Sequence, residues 1–276
     1  MTNPGLLADI AKGIVRAELL TEITQREIGR YISDDGYGCE EKHNGQRKIV
    51  YKDASGIPTT NREGEPSGHA LPTHVINAFR HHPLPTFVID IEFENGIAVI
   101  LDILNLGGLD FTGQRYDKRK AAARLAFEGN NRNAFYRVCE TITGEFAKSA
   151  FVRAKKAEKA EGVCFKKMDA PYRSGRSDQH KKLKFVKECD VVVMGPNLEG
   201  HNSVEIGVYD KGILRRVSGC SLNGKPNAVK GDVLTVRYLY ASKNFNLVQP
   251  TMVCKRTDKR PETCTIDQLE RYRDYR

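Results

Sequence analysis

"EEKHNGQRKIV", residues 40–50, sets Lys42 two places ahead of Asn44-Gly45, and an apolar strand leaves directly after Arg47. Asn-Gly is a strong turn signal, because both residues tolerate the left-handed backbone of tight turns. Taken alone, the stretch reads as a charged turn between two strands. The second reading is a nucleophilic amine held by a tight turn over a phosphate. What the rest of the chain supplies decides between them.

Outward from this turn, "RKIVYKD" (47–53) has strand character. "TFVIDIEFENGIAVILDILNL" (86–106) reads as two strands joined at Asn95-Gly96, a hairpin signal. Apolar side chains at Leu6, Leu7, Ile10, Ile14, Leu19, Leu20, Ile23 and Ile28 give residues 6–32 a mostly helical spacing. Residues 116–127 and 145–160 read as helices with basic outer faces, and "GVCFKK" (162–167) and "KLKFV" (182–186) as strands. From 187 onward the texture is almost purely β, with short strands separated by Gly, Asn and Pro turns. Five short strands in that span fit a small closed barrel of the OB type. The expected division is 1–186 and 187–276.

Composition narrows the classes. The chain has 276 residues, 39% hydrophobic and 29% charged, which is ordinary for a globular protein with room for two domains. A net charge of +9 favours a polyanionic partner. Seven cysteines without a CxxC argue against a disulfide framework or a zinc ribbon, and point to buried or neutral thiols in a reducing compartment. The N-terminus lacks the pattern of a signal peptide, and no apolar run reaches membrane-spanning length. A cytoplasmic protein is expected.

Polar residues that interrupt the apolar strands carry the chemistry. Side chains two apart on a strand share a face, which groups Asp90, Glu92 and Glu94, and separately Lys182 and Lys184. Glu161 stands at the entrance to another strand. Each group alone is explained as a solvated strand face. Together they supply a nucleophile, carboxylates for a divalent cation and cations for a phosphate, the inventory for nucleotidyl transfer.

"KHNGQR" resembles the Lys-x-Asp/Asn-Gly-x-Arg nucleophile motif of the covalent nucleotidyltransferase superfamily. Six further blocks follow in that family's order: "TNREG" (60–64), "IDIEF" (89–93), "LDILNLGGLDFTGQRYDKRK" (101–120), "EGVCFK" (161–166), "YRSGRSDQHKKLK" (172–184) and "CKRTDK" (254–259). Within the superfamily, "LDILNLGGLDFTGQ" and the Tyr-Arg-x-Gly-Arg-Ser run are similar to ATP-dependent DNA ligases of minimal two-domain form. The resemblance implies an α+β fold: an ATP-grasp-like nucleotidyltransferase (adenylation) domain of antiparallel sheets with helices, followed by an OB-fold barrel.

It also implies roles. Lys42 would attack the α-phosphorus of ATP and become lysyl-AMP, splitting one hard displacement into easier ones. A lysine attacks only as the free amine, a form favoured by neighbouring cations, a metal and exclusion of water. Glu40 would help recognise adenine. Arg47 and Arg62 would contact the ribose or the 5′-phosphate of a DNA nick. Glu92 and Glu161 would serve Mg²⁺ and the ribose, and Lys182 and Lys184 the α-phosphate. Arg256, Asp258 and Lys259 would orient the departing pyrophosphate and then swing away with the barrel. The implied partner is nicked double-stranded DNA, bound by a monomer and gripped chiefly through its backbone.

The chain departs from the family pattern at three positions. Leu101 stands where an aromatic residue is usual, so adenine stacking is expected to come from elsewhere or to be weaker. His180 stands at a common Trp position, and Asn44 replaces the commoner Asp. Alternatives within the superfamily are an RNA ligase and a GTP-using capping enzyme. An NAD-dependent ligase would need an additional N-terminal region and a zinc module. From another class, a non-catalytic OB-fold nucleic-acid binder with an inherited pocket would explain the charge equally well. His81-His82 read as a surface turn, "KSAFVRAKKAEKA" as a solvated helix face, and the terminal "RYRDYR" as a basic or frayed tail.

Overall fold

A computed structural model describes residues 15–128, 133–196, 202–222, 224–225 and 227–272. The described residues begin with β1 (Glu18–Glu22), α1 (Ile28–Ser33), β2 (Tyr37–Glu41), β3 (Gln46–Lys52) and β4 (Thr59–Thr60). Then come α2 (Thr73–Arg80), β5 (Phe87–Glu94), β6 (Ile97–Leu106), β7 (Leu109–Asp110), α3 (Tyr116–Phe127), β8 (Tyr136–Val138) and α4 (Glu145–Ala157). The remaining strands are β9 (Gly162–Lys167), β10 (Gly175–Lys184), β11 (Lys187–Pro196), β12 (Ser203–Asp210), β13 (Ile213–Ser221), β14 (Val233–Tyr238) and β15 (Thr251–Arg256).

The chain divides into two compact units. One comprises residues up to Ala157 together with Gly162–Leu183; the other comprises Glu158–Glu161 with Lys184 onward. The first unit holds two sheets. One has the order β1-β10-β9-β2, and the other β4-β3-β5-β6-β7 with β8 against β6. Most pairings are antiparallel as expected, but β1 runs parallel to β10 and β8 parallel to β6.

The β5–β6 hairpin turns at Asn95 and Gly96, with φ of 52° and 81°. Two successive left-handed residues make a turn whose twist matches the flanking strands. Its inner face joins Ile89, Ile91, Ile100 and Ile103 to Phe79 of α2 and Phe127 of α3 in one apolar core. The second unit is a closed five-stranded barrel in the order β11-β12-β13-β15-β14. Alternate residues Val191, Val193, Val204, Ile206, Val208, Leu234 and Val236 fill it, as the period of two requires.

Three expectations need correction. Residues 18–22 are strand, and the first described helix begins at Ile28; residues 6–14 of the expected helix lie outside the described residues. The adjacent apolar pair Leu19-Leu20 fits a helical stripe, but β1 pairs in parallel with β10, with a register shift after Leu20, and tertiary pairing outweighs local period. The basic helices are not simply solvated: Arg119 and Lys120 of α3 and Lys148 of α4 are buried. Lys148 Nζ donates to the carbonyls of Tyr31, Asp34 and Tyr37 at 3.2, 2.7 and 2.9 Å.

Nor is His82 a surface residue. It lies among Phe87, Phe127 and Tyr136, with Nε2 against the Ala126 carbonyl at 3.1 Å. Of the tail, residues 273–276 lie outside the described residues. All seven cysteines are free thiols, and five are buried. No described helix is long and apolar enough to cross a membrane.

Candidate active site

Residues 42–45 connect β2 to β3, and β5 fixes this connection from one face. Register pairs Arg47 with Glu92 and Ile49 with Asp90, and the period of two sets Asp90, Glu92 and Glu94 on the same side of β5. Each meets a residue of the connection or of the strand it enters. Arg47 donates both Nε and Nη2 to Asp90, at 2.5 and 2.8 Å. The Gly45 N–H donates to Glu92 Oε1 at 3.0 Å. His43 Nδ1 lies 2.9 Å from Glu94 Oε2, with its Nε2 3.6 Å from Cys139 Sγ.

The Lys42 N–H donates to the Gly162 carbonyl at 3.0 Å, which ties the nucleophile candidate to the start of β9. Gly45 is obligatory for steric reasons: a Cβ there would lie 2.1 Å from the Phe93 carbonyl oxygen. The sequence read Asn44-Gly45 as a tight turn, and close backbone approach to β5 is what the glycine serves.

The connection opens on a cavity of about 550 Å³ within the first unit. Of the residues expected at the site, Glu40, Lys42, Arg47, Arg62, Glu92 and Lys182 line it. The structure does not bring the other four to this wall. Glu161, just before β9, and Lys184, at the end of β10, fall in the second unit, as do Arg256 and Lys259. There Lys184 Nζ donates to Gln249 Oε1 at 3.2 Å. Arg256 forks Asp258 at 2.7 Å, and Lys259 pairs with Asp190 at 2.5 Å.

Burial raises the pKa of the Glu92 carboxyl above its ordinary value, against the opposing charges of Arg47 and Lys42 and the Gly45 N–H. Such a carboxylate is poised to gain from a cation. Burial would push Glu40 the same way, but Lys120, Lys166, Thr141 and Tyr116 together bring it below the carboxylate range. Thr141 donates to Glu40 Oε1 at 2.5 Å, the Tyr116 hydroxyl donates to the same oxygen, and Lys120 Nζ lies 3.1 Å from it. Burial pushes the Cys164 thiol up to about 11, so this side chain is neutral. For Arg47, burial works against the charge, and Asp90 more than restores it.

Sequence reasoning missed Glu18, His43, Lys48 and Lys166, which also line the cavity. A signal existed for Lys166, since Cys164 and Lys166 stand two apart on β9 and share its inward face. Lys48 is tied to Ser67 Oγ and to the His69 carbonyl. Nothing in the sequence separates His43 or Glu18 from surface residues.

Among the described residues, no group of three or more His, Cys, Asp or Glu side chains could hold a metal ion. Magnesium does not need one. It keeps several waters and is held by one or two carboxylates plus phosphate oxygens. Glu92, half-buried on the cavity wall, is the carboxylate that fits this need.

No protein-family model matches the sequence, and no curated protein sequence matches it either. Solved structures do match. A Lig E DNA ligase, described as binding DNA with a minimal scaffold, superposes at a TM-score of 0.65 and 17% identity, over 87% of this chain and 99% of that one. A mycobacterial DNA ligase D complexed with ATP and MES matches at 0.54 and 18%, over 94% and 99% of the two chains. The ligase domain of LigD from M. tuberculosis matches at 0.54 and 19%, over 92% and 99%. At these identities the likeness is one of fold. The chain has the sheet-rich fold with few helices found in DNA ligases.

Proposed function

We propose that this protein is an ATP-dependent DNA ligase that seals nicks between a 5′-phosphate and a 3′-hydroxyl in duplex DNA. The observation that carries the reading is the Lys42 connection: a lysine in a segment held by Glu92 on the Gly45 N–H and by Glu94 on the His43 ring, facing a cavity that also presents Arg47, Arg62, Lys182 and Glu92. In this reading residues 1–186 form the adenylation domain and residues 187–276 an OB-fold domain. The barrel's strand order, with β15 between β13 and β14, supports the second assignment.

The Lys42 amine attacks the α-phosphorus of ATP, the bond to the β-phosphate oxygen breaks, and pyrophosphate leaves. The AMP then passes to the 5′-phosphate, forming a phosphoanhydride and freeing the lysine. Attack by the 3′-hydroxyl forms the phosphodiester and releases AMP. Lys182 and Arg47 hold phosphate charge, and Lys184, Arg256 and Lys259 are the further cations assigned to the phosphates of ATP. Arg62 and Arg47 serve the 5′-phosphate of the nick. Glu92, with Glu161, would hold Mg²⁺, which neutralises charge on phosphate oxygens. The enzyme acts as a monomer on nicked DNA.

Sealing of a 5′-phosphorylated nick in duplex DNA with ATP and Mg²⁺, run beside Lys42→Ala and a matched RNA nick, tests the reading. Joining of DNA that is lost in the variant is expected. Joining of RNA alone would make the chain an RNA ligase. Binding without joining would leave a nucleic-acid-binding protein with an inherited pocket.

A further inference from the structure

Among the described residues, four buried side-chain polar atoms lack a hydrogen-bond partner: Glu18 Oε1 and Oε2, His180 Nε2 and Asn105 Nδ2. Three of the four belong to one contact. Glu18 is 1% exposed and His180 0%. His180 Nδ1 accepts the Lys167 N–H at 3.0 Å, so the neutral ring carries its proton on Nε2. That nitrogen lies 3.4 Å from Glu18 Oε2 without hydrogen-bond geometry. A buried carboxylate with both oxygens unsatisfied is costly, and native proteins keep such a group where something else will meet it.

Glu18 borders the cavity that holds Lys42. The same lining includes Leu20, Leu101 and Cys164, residues with apolar or neutral surfaces, two of them in the same sheet as Glu18. Arg47 and Glu92 come from the other sheet, whereas the cations Lys166 and Lys182 share the sheet of Glu18. Apolar side chains and an acceptor without a hydrogen-bonded partner in one cavity suit a flat heterocycle carrying an amino group. Glu40, the acid first expected at the base, already takes Tyr116, Thr141 and Lys120 on one oxygen.

We infer that Glu18 reads the exocyclic amino group of the nucleotide base and sets the preference for adenine over a 6-oxo purine. The inference rests on the proposed adenylation of Lys42. An amino group donates to the carboxylate, whereas a 6-oxo group sets an acceptor against an acceptor and leaves Glu18 unpaired. Sites built to hydrogen-bond a substrate group reject analogues lacking it by large factors, because the buried partner stays unsatisfied.

The test is covalent labelling of the full chain with ATP and with inosine triphosphate, at concentrations below saturation, in wild type and Glu18→Gln. Wild type should prefer ATP by at least about 100-fold. The glutamine keeps the volume and can turn its NH₂ toward a 6-oxo group. The preference should therefore fall at least about tenfold, through loss with ATP and gain with inosine triphosphate.

An unchanged preference in a labelled variant overturns the inference, as does an equal loss with both nucleotides, which would assign Glu18 to the fold or to a bridging water. Should Glu18→Gln not fold, Glu18→Asp, which withdraws the carboxylate by one methylene, decides by the same ratio. Wild type that takes no label from ATP refutes the proposed function itself, a result distinct from either outcome for Glu18.

Discussion

Arg119 and Asp102 have side chains 0% and 2% exposed and meet through two bonds of 2.8 Å. Arg119 Nη1 also donates to the carbonyls of Gln114 and Ala170 at 2.5 and 2.9 Å. Burial would raise the Asp102 carboxyl, but the hydrogen bonds and charge of Arg119 hold it below its ordinary range. Removing one partner strands the other, so Asp102→Ala should cost about 3–5 kcal/mol in urea unfolding. A cost under about 1 kcal/mol would mean that the site relaxes and the pair holds little together.

His82 adds a pH dependence. Burial lowers its pKa from 6.5, against the Ala126 carbonyl bond. The unfolded chain therefore takes up this proton at a higher pH than the folded one, and stability falls as pH drops below about 6.5. The slope of melting temperature against pH between about 7 and 5.5 should flatten in His82→Gln. Burial lowers His180 as well, so part of the slope should remain.

At the scale of elements, β5 organises the candidate site, because one face of one strand fixes Arg47, Gly45 and His43 together. Gly45→Ala would set a Cβ against the Phe93 carbonyl and lift the connection from β5. Misplacement of a reacting group by an ångström costs on the order of 100-fold. Labelling by ATP should fall by about that factor. A variant with normal labelling would show that the connection needs no close approach to β5.

This strand was legible in the sequence. Its alternating carboxylates and the Asn95-Gly96 turn follow from a period of two and from left-handed turn residues, both local properties. β1 was not legible, because its strand character comes from pairing with β10, more than 150 residues away in the chain. Nor was the burial of Lys120 and Lys148, whose partners are largely backbone carbonyls that leave no mark in the sequence. Glu18 escaped for the same reason: an unsatisfied acceptor is defined by what surrounds it.

At the scale of the whole molecule, the cavity is lined entirely by the first unit, and the barrel closes on its own core. The chain as a whole carries a net charge of +9. If the protein holds DNA through phosphate contacts, bound counterions are released and affinity falls steeply with salt. The dissociation constant for nicked duplex should rise at least about tenfold between roughly 50 and 200 mM salt. A flat response would exclude a backbone-directed grip.

Everything proposed for the site turns on the Lys42 amine acting as a nucleophile, and mass mapping of the chain after incubation with α-labelled ATP and Mg²⁺ puts that to the proof. One AMP per chain is expected, attached at Lys42, with pyrophosphate released in equal amount and no adduct in Lys42→Ala. A chain that binds ATP but carries no adduct, or an adduct on another residue, would show that Lys42 is not the nucleophile.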